Sequence, residues 1–253
     1  GLGVALLRGQ GGEAPSPKVA RWPPSEQKPT KNGGRESSVT LLEGWGSLQT
    51  RLLRCQCTVP DGTMRRLEHL LRATARAEAS HFWFRGFRYF VVPLLREATK
   101  GLSAARLLDC GCGTGRNLEL LGRFGRAYGF DLSESGLRIG RESGRTRLAR
   151  ATVAAVPFAS RAFDVVTSFD VLYSLESDVE RAAVAEMHRL TRPGGFIIVN
   201  VAAMEALRGD HSVLSREVRR YSRASLHQLL TGAGFSVVRL TYTNASLFLP
   251  MLA

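Results

Sequence analysis

The chain has 253 residues, 44% apolar and 23% charged, which suits a globular domain with a full core and excludes a disordered or collagen-like chain. No run of about 18 apolar residues occurs, so no membrane-spanning helix is expected. The formal net charge is +13, but only four of the 35 basic residues are lysine, and the basic pairs Arg65-Arg66 and Arg219-Arg220 are short. That pattern reads as Arg-rich coding composition more than as a nucleic-acid surface.

The opening GLGVALLRGQ lacks the basic, apolar, small-residue order of a signal peptide. Residues 1–60 as a whole read as a low-order N-terminal extension, dense in Gly, Pro, Ser and Lys through GGEAPSPKVARWPPSEQKPTKNGGRESS. From Met64 the pattern turns helical, with Leu67, Leu70 and Leu71 at helical spacing. SHFWFRGFRYFVVPLLREA follows, and 61–100 is read as a helical, aromatic segment. It is either a helix packed on the domain or an aromatic lid over a flat ligand, with Gly86 allowing a bend.

After Gly101 short strands alternate with helices. The expected strands are Arg106–Cys110, Ala127–Asp131, Arg147–Val153, Phe163–Phe169, Gly195–Val201 and Phe235–Tyr242. The expected helices are Gly115–Arg123, Glu134–Glu142, Asp178–Thr191 and Arg223–Ala233. Such alternation implies a parallel α/β sheet, with ligands at the carboxyl ends of its strands. Arg192-Pro193-Gly194-Gly195 reads as a turn into the fifth of these strands.

The first strand runs into LLDCGCGTGRN. Its glycines, Gly111, Gly113 and Gly115, stand at G-x-G-x-G spacing, and Arg116 occupies the slot of a dinucleotide loop's third glycine. No Lys follows as in a phosphate loop, so a phosphate-free nucleoside fits better. Asp109 ends the first strand beside the loop, and Asp131 ends the second, where a carboxylate can take both ribose hydroxyls. The two CxC pairs, Cys55/Cys57 and Cys110/Cys112, lack zinc spacing and His partners. No metal site is expected, and Cys110 and Cys112 read as small residues of a tight turn.

In order and spacing, LLDCGCGTG, GFDLS, PFASRAFDVVTSFDVLYSL and RLTRPGGFIIVNV resemble four motifs of the class I S-adenosylmethionine (SAM)-dependent methyltransferases, over about residues 64–249. HFWFRGFRYF, RRYSRASLHQLLTGAGF and TYTNASLFLP are similar to a bacterial subgroup of that family. The resemblance implies a Rossmann-like three-layer α/β sandwich over 101–253, a SAM-binding domain cut short at its C-terminus. After FSVVRLTYT only ten residues remain, so the family's final antiparallel strand is expected to be missing or replaced. The resemblance also places the three glycines under the methionine part of SAM and Asp109 at its amino end. It puts Asp131 on the ribose, Leu132 on the adenine, and Phe169 and Asp170 on the methyl-donor side. Thr152 stands where many relatives have an Asp for the adenine amino group.

If the acceptor's nucleophile carries a proton, a base is needed. His211 and Tyr173 are the candidate catalytic residues, with His81 and His227 behind them. Arg219, Arg220 and Tyr221 offer a site for an acidic substrate, against the plainer reading of a solvated helix start capped by Ser222. Glu186, His188, Asp164 and Asp178 read as structural. The expected function is SAM-dependent methyl transfer to a small-molecule or lipid-linked acceptor in the cytoplasm. The alternatives are an RNA/DNA methyltransferase, which lacks an [DNS]-P-P-[YFW] tetrapeptide here, and an inactive SAM-binding module. Weak association with a membrane surface ranks below simple solubility.

Overall fold

Strand β2 (Arg106–Cys110) turns Leu107 and Leu108 to opposite faces, and both are fully buried. Burial on both sides is the signature of a strand in a parallel sheet covered by helices. A computed structural model describes residues 2–9, 82–209, 212 and 217–243. The chain divides into one unit of Gly1–Ala14 with Arg65–Ala253 and a second of Pro15–Met64, and the second lies outside the described residues. In chain order the elements of the first unit are β1 (Leu2–Gly9), α1 (Phe82–Ala98), β2, α2 (Asn117–Leu121), β3 (Arg126–Asp131), α3 (Glu134–Glu142) and β4 (Leu148–Arg150). They continue with β5 (Phe163–Phe169), α4 (Ser177–Leu190), β6 (Thr191–Ala202), α5 (Arg223–Gly232) and β7 (Phe235–Thr243).

The sheet has seven strands in the order β4-β3-β2-β5-β6-β1-β7. Strands β2 to β6 pair in parallel, and the order reverses at β2, so a crevice opens between the loops after β2 and β5. One core cluster, containing Leu108, Phe130, Phe163 and Val166, packs with α4 and α5 through Val184, Met187, Leu226 and Leu230. The other, containing Leu107, Val165 and Phe169, packs with α1, α2 and α3 through Val91, Leu95, Leu121 and Leu137. This is the three-layer sandwich expected. The bounds of Arg106–Cys110, Phe163–Phe169 and Glu134–Glu142 are as read from sequence. Residues 192–195 lie within β6, where the register with β5 shifts and Gly194 takes φ +74°.

One expectation needs correction, and another holds in one of its two forms. The family's final antiparallel strand is replaced, by a strand from the other end of the chain. β1 lies between β6 and β7 and pairs antiparallel with both, from Leu2 opposite Ala202 to Arg8 opposite Phe196. Residues 2–9 are therefore part of the sheet and not of a low-order extension. The reason is burial. Val4 and Leu6 enter one core cluster, Ala5 and Leu7 the other, and none is more than 2% exposed. A short apolar run of this kind is stable only inside a sheet covered on both faces.

The aromatic segment forms α1, continuous through Gly86 and Pro93. Phe87, Val91, Leu94, Leu95 and Ala98 face the sheet, which is the packed-helix reading. The side chains of residues 81–85, on which a lid would depend, lie outside the described ones. Among the described residues no helix is long and apolar enough to cross a membrane.

Leu6 is fully buried between β6 and β7, so Leu6→Ala should destabilise the fold by about 2–5 kcal/mol, seen as a lower urea midpoint. A change below about 1 kcal/mol, the level of most surface substitutions or less, would mean that β1 is not seated there.

Candidate functional site

The site is built on the loop after β2, and that loop is tied to the end of β3. The N–H groups of Gly111 and Cys112 both donate to the Phe130 carbonyl, each at 2.9 Å. Gly113 N–H donates to Asp131 Oδ2 at 2.7 Å, and Gly115 N–H to the Cys112 carbonyl at 2.8 Å. Asp131 Oδ1 accepts the N–H of Ser133 at 2.8 Å, and Ser133 caps α3 by accepting from Gly136. Four loop N–H groups are thus turned into the protein. A diphosphate cradle needs such groups aimed outward, so the loop offers a ligand bare backbone instead.

The three glycines do different jobs. All have positive φ, at +75°, +56° and +73°. A Cβ on Gly111 would come within 2.5 Å of Val171 Cγ2, and one on Gly115 within 2.8 Å of Leu148 Cδ2. These two are bare because the protein packs against them. Gly113 has nothing within 4 Å on that side, so its bare face opens on the crevice.

Asp109 lies under the loop, 1% exposed. Its Oδ1 accepts from Thr167 Oγ1 at 2.7 Å, while Oδ2 finds no donor in bonding geometry among the described residues, although Asn117 lies near the carboxyl. Burial lifts its pKa from 3.8 to about 7 against the pull of Thr167, with Asp131 adding repulsion. Burial also raises the Asp131 carboxyl, opposed by the N–H groups of Ser133 and Gly113. Leu132, next to it, is 66% exposed, an unusual position for a leucine. Thr152, just beyond β4, is exposed and makes only a long side-chain contact, 3.4 Å from Ala154 N to its Oγ1. Cys110 and Cys112 are free, buried thiols pushed well up by burial, and Cys112 packs on Gly129. Among the described residues no cluster of His, Cys, Asp or Glu could hold a metal.

On the far side Phe169 is buried edge-on against Phe87, with ring centroids 4.9 Å apart. It supports the crevice from beneath. Asp170 follows at its lip, with its Oδ1 accepting from Asn200 Nδ2 at 2.9 Å. Tyr173 is half-buried beside it, and its carbonyl accepts from Val218 and Arg219 N–H. Burial, Asp170 and Glu217 push its phenol up, which suits it to donating a hydrogen bond rather than accepting a proton. His211 and His81 lie outside the described residues, and His227 is exposed on α5.

Arg219 and Arg220 are not the free cations that an acidic substrate would need. Arg219 pairs with the buried Glu180 at 2.6 Å and bonds the Leu175 carbonyl, while Arg220 pairs with the buried Glu217 at 2.8 Å. Tyr221 Oη donates to Glu180. Ser222 caps α5, with Ser225 completing a capping box. Glu186 with Arg189, His188 against Phe235, and Asp164 with Arg192 are packing contacts, as read from sequence. Sequence reasoning missed Thr167, Asn200 and Glu217. Asn200 carried a signal, being the lone amide in the buried run FIIVNV.

Residues 108–199 match the family model described as "Methyltransferase domain". An uncharacterized protein of Mycobacterium tuberculosis is 29% identical over 234 residues, covering 79% of each chain. The demethylmenaquinone methyltransferase of Geobacillus kaustophilus is 33% identical over 104 residues, 37% of this chain and 43% of its own length. A crystal structure of a SAM-dependent methyltransferase from Thermotoga maritima superposes with TM-score 0.52 at 22% identity, covering 68% of this chain and 81% of that one.

The raised Asp109 pKa has a consequence for stability. The folded state holds a proton that the unfolded chain releases near 3.8, so Asp109's contribution is lost as pH rises from about 3.8 to about 7. Asp109→Asn should therefore gain urea stability relative to wild type across that window and stay ahead above it. A difference that does not change with pH would contradict the assignment.

Proposed function

We propose, from the premise that this chain is a class I SAM-dependent methyltransferase, that its crevice binds SAM and that the methyl group passes to a small-molecule or lipid-linked acceptor. The observation that carries this reading is the inward turn of the loop's N–H groups, which leaves the bare face of Gly113 to a ligand without phosphates.

The other residues fit the parts of SAM. The unpartnered Oδ2 of Asp109 suits the amino end, directly or through one water. Each oxygen of Asp131 takes one backbone N–H and keeps a lone pair for a ribose hydroxyl. Exposed Leu132 offers an apolar face to adenine, and the Thr152 hydroxyl can accept weakly from its amino group. When bound, SAM supplies an electrophilic methyl: the acceptor's lone pair forms the bond to carbon and the C–S pair leaves on sulfur. What the chain adds is alignment of the two partners and exclusion of water.

Relatives named as quinone-pathway C-methyltransferases support a small-molecule or lipid-linked acceptor over nucleic acid. The internal pairing of Arg219 and Arg220 weighs the same way.

Calorimetry with SAM and S-adenosylhomocysteine tests the reading. The folded wild type should bind both, and Asp131→Ala should weaken each at least about tenfold, since it removes hydrogen bonds to a charged acceptor. Failure of the folded chain to bind either, or full binding by the variant, would refute it.

A further inference from the structure

We propose that Asp170, clamped by Asn200 at the carboxyl end of β5, faces the position of the transferred methyl group and takes the proton that the acceptor's nucleophile sheds. The proposal rests on the SAM-dependent reading above and adds to it a base that the sequence placed elsewhere.

The placement comes from packing. The side chain of Val171, the next residue, fills the space under Gly111, so the end of β5 that carries Asp170 is packed on the glycine loop. Asp170 has φ +60°, a left-handed conformation that L residues adopt rarely and that Asp tolerates better than most. It is held there twice by one residue: its N–H donates to the Asn200 carbonyl at 3.0 Å, and its Oδ1 accepts from Asn200 Nδ2 at 2.9 Å. Backbone strain fixed by surrounding structure recurs where a side chain must be aimed. Asn200 is fully buried, and its own Oδ1 has no donor among the described residues. The second oxygen of Asp170 has no protein partner among the described residues. The unfilled polar atoms here are acceptors, and acceptors call for a ligand that brings N–H or O–H.

The local chemistry agrees. Asp170 is open to solvent at its surface yet ringed by protein, and loss of hydration lifts its carboxyl to about 7, with Asn200 opposing and the Glu217 charge adding. The ionisable groups that interact with it, among the described residues, are Tyr173 and Glu217, and Arg220 lies beyond them, paired with Glu217. Glu217 and Arg220 neutralise each other, and Tyr173 stays protonated, which leaves Asp170 as the group that titrates near neutral pH. A base there is matched to its task. The nucleophile's bond to hydrogen breaks, its pair stays to form the bond to carbon, and the proton passes to the free Asp170 oxygen and on to bulk water.

The test needs no acceptor. Sinefungin carries a charged amine where SAM carries its methyl, and S-adenosylhomocysteine carries nothing there. Their affinities are compared by calorimetry from about pH 5.5 to about pH 8.5. For wild type the preference for sinefungin should grow about tenfold as Asp170 ionises, with a midpoint near 7. Asp170→Asn should lose that growth while keeping its affinity for S-adenosylhomocysteine, and Asn fits the left-handed backbone at least as well. Glu217→Gln should move the midpoint to lower pH. A preference that does not change with pH in wild type, or the same rise in Asp170→Asn, overturns the assignment while leaving SAM binding intact. If neither ligand binds the folded wild type, the SAM reading falls too.

Discussion

The Phe130 carbonyl and the Asp131 carboxylate together accept three N–H groups from the loop after β2, and the geometry of the crevice follows from those bonds. They pull the loop against the end of β3, so its backbone dipoles face inward and its bare carbons face out. They also require the tight approaches at Gly111 and Gly115, where any side chain would strike Val171 or Leu148. Arg145 braces the same loop from behind, bonding the Thr114 carbonyl and pairing with Glu119 at 2.6 Å. The ligand surface is thus rigid before anything binds, which lowers the entropy that binding must overcome.

Much of this was legible in the sequence because the signals are local. Short apolar runs bounded by glycines and charges marked β2 and β5, and G-x-G-x-G spacing separated this loop from a dinucleotide loop. Asp131 was legible from its place at a strand end. β1 was harder. GLGVALLRGQ reads from sequence as part of a low-order extension, and its partners lie far along the chain, Leu2 pairing with Ala202 of β6 and with Thr243 of β7. Nothing local records such pairing, because register is fixed by burial on both faces and not by the strand's own composition. The Asp170–Asn200 clamp was illegible for the same reason: it joins residues 30 apart through a register that only the folded sheet defines.

The position of β1 also bears on the crevice. β6 carries Asn200, and it is held on one side by β5 and on the other by β1, with Val4 of β1 opposite Asn200. Without a strand on that side, β6 would be an edge, free to twist and shed its register. The clamp on Asp170 therefore depends on eight residues far from it in sequence. Burial of Val4, Ala5, Leu6 and Leu7 is the energy that keeps Asn200 in line.

The polar groups of the crevice carry a penalty in the unliganded protein. Asp109 and Asp170 are raised carboxyls, and Asp109 Oδ2 and Asn200 Oδ1 are buried acceptors without donors among the described residues. Each unsatisfied buried group costs about 1–3 kcal/mol, a large fraction of a domain's net stability. Stability alone would replace them with apolar residues, as the rest of β5 and β6 has done at Val165, Val166, Ile197 and Ile198. These groups belong to three residues, Asp109, Asp170 and Asn200, near the carboxyl ends of β2, β5 and β6, where the crevice opens. A ligand bringing a cationic amine to one side and a hydrogen-bond donor to the other would relieve both sets at once. It would recover on binding what the fold gives up in holding them, so the same residues that weaken the empty protein sharpen its selectivity for what fills it.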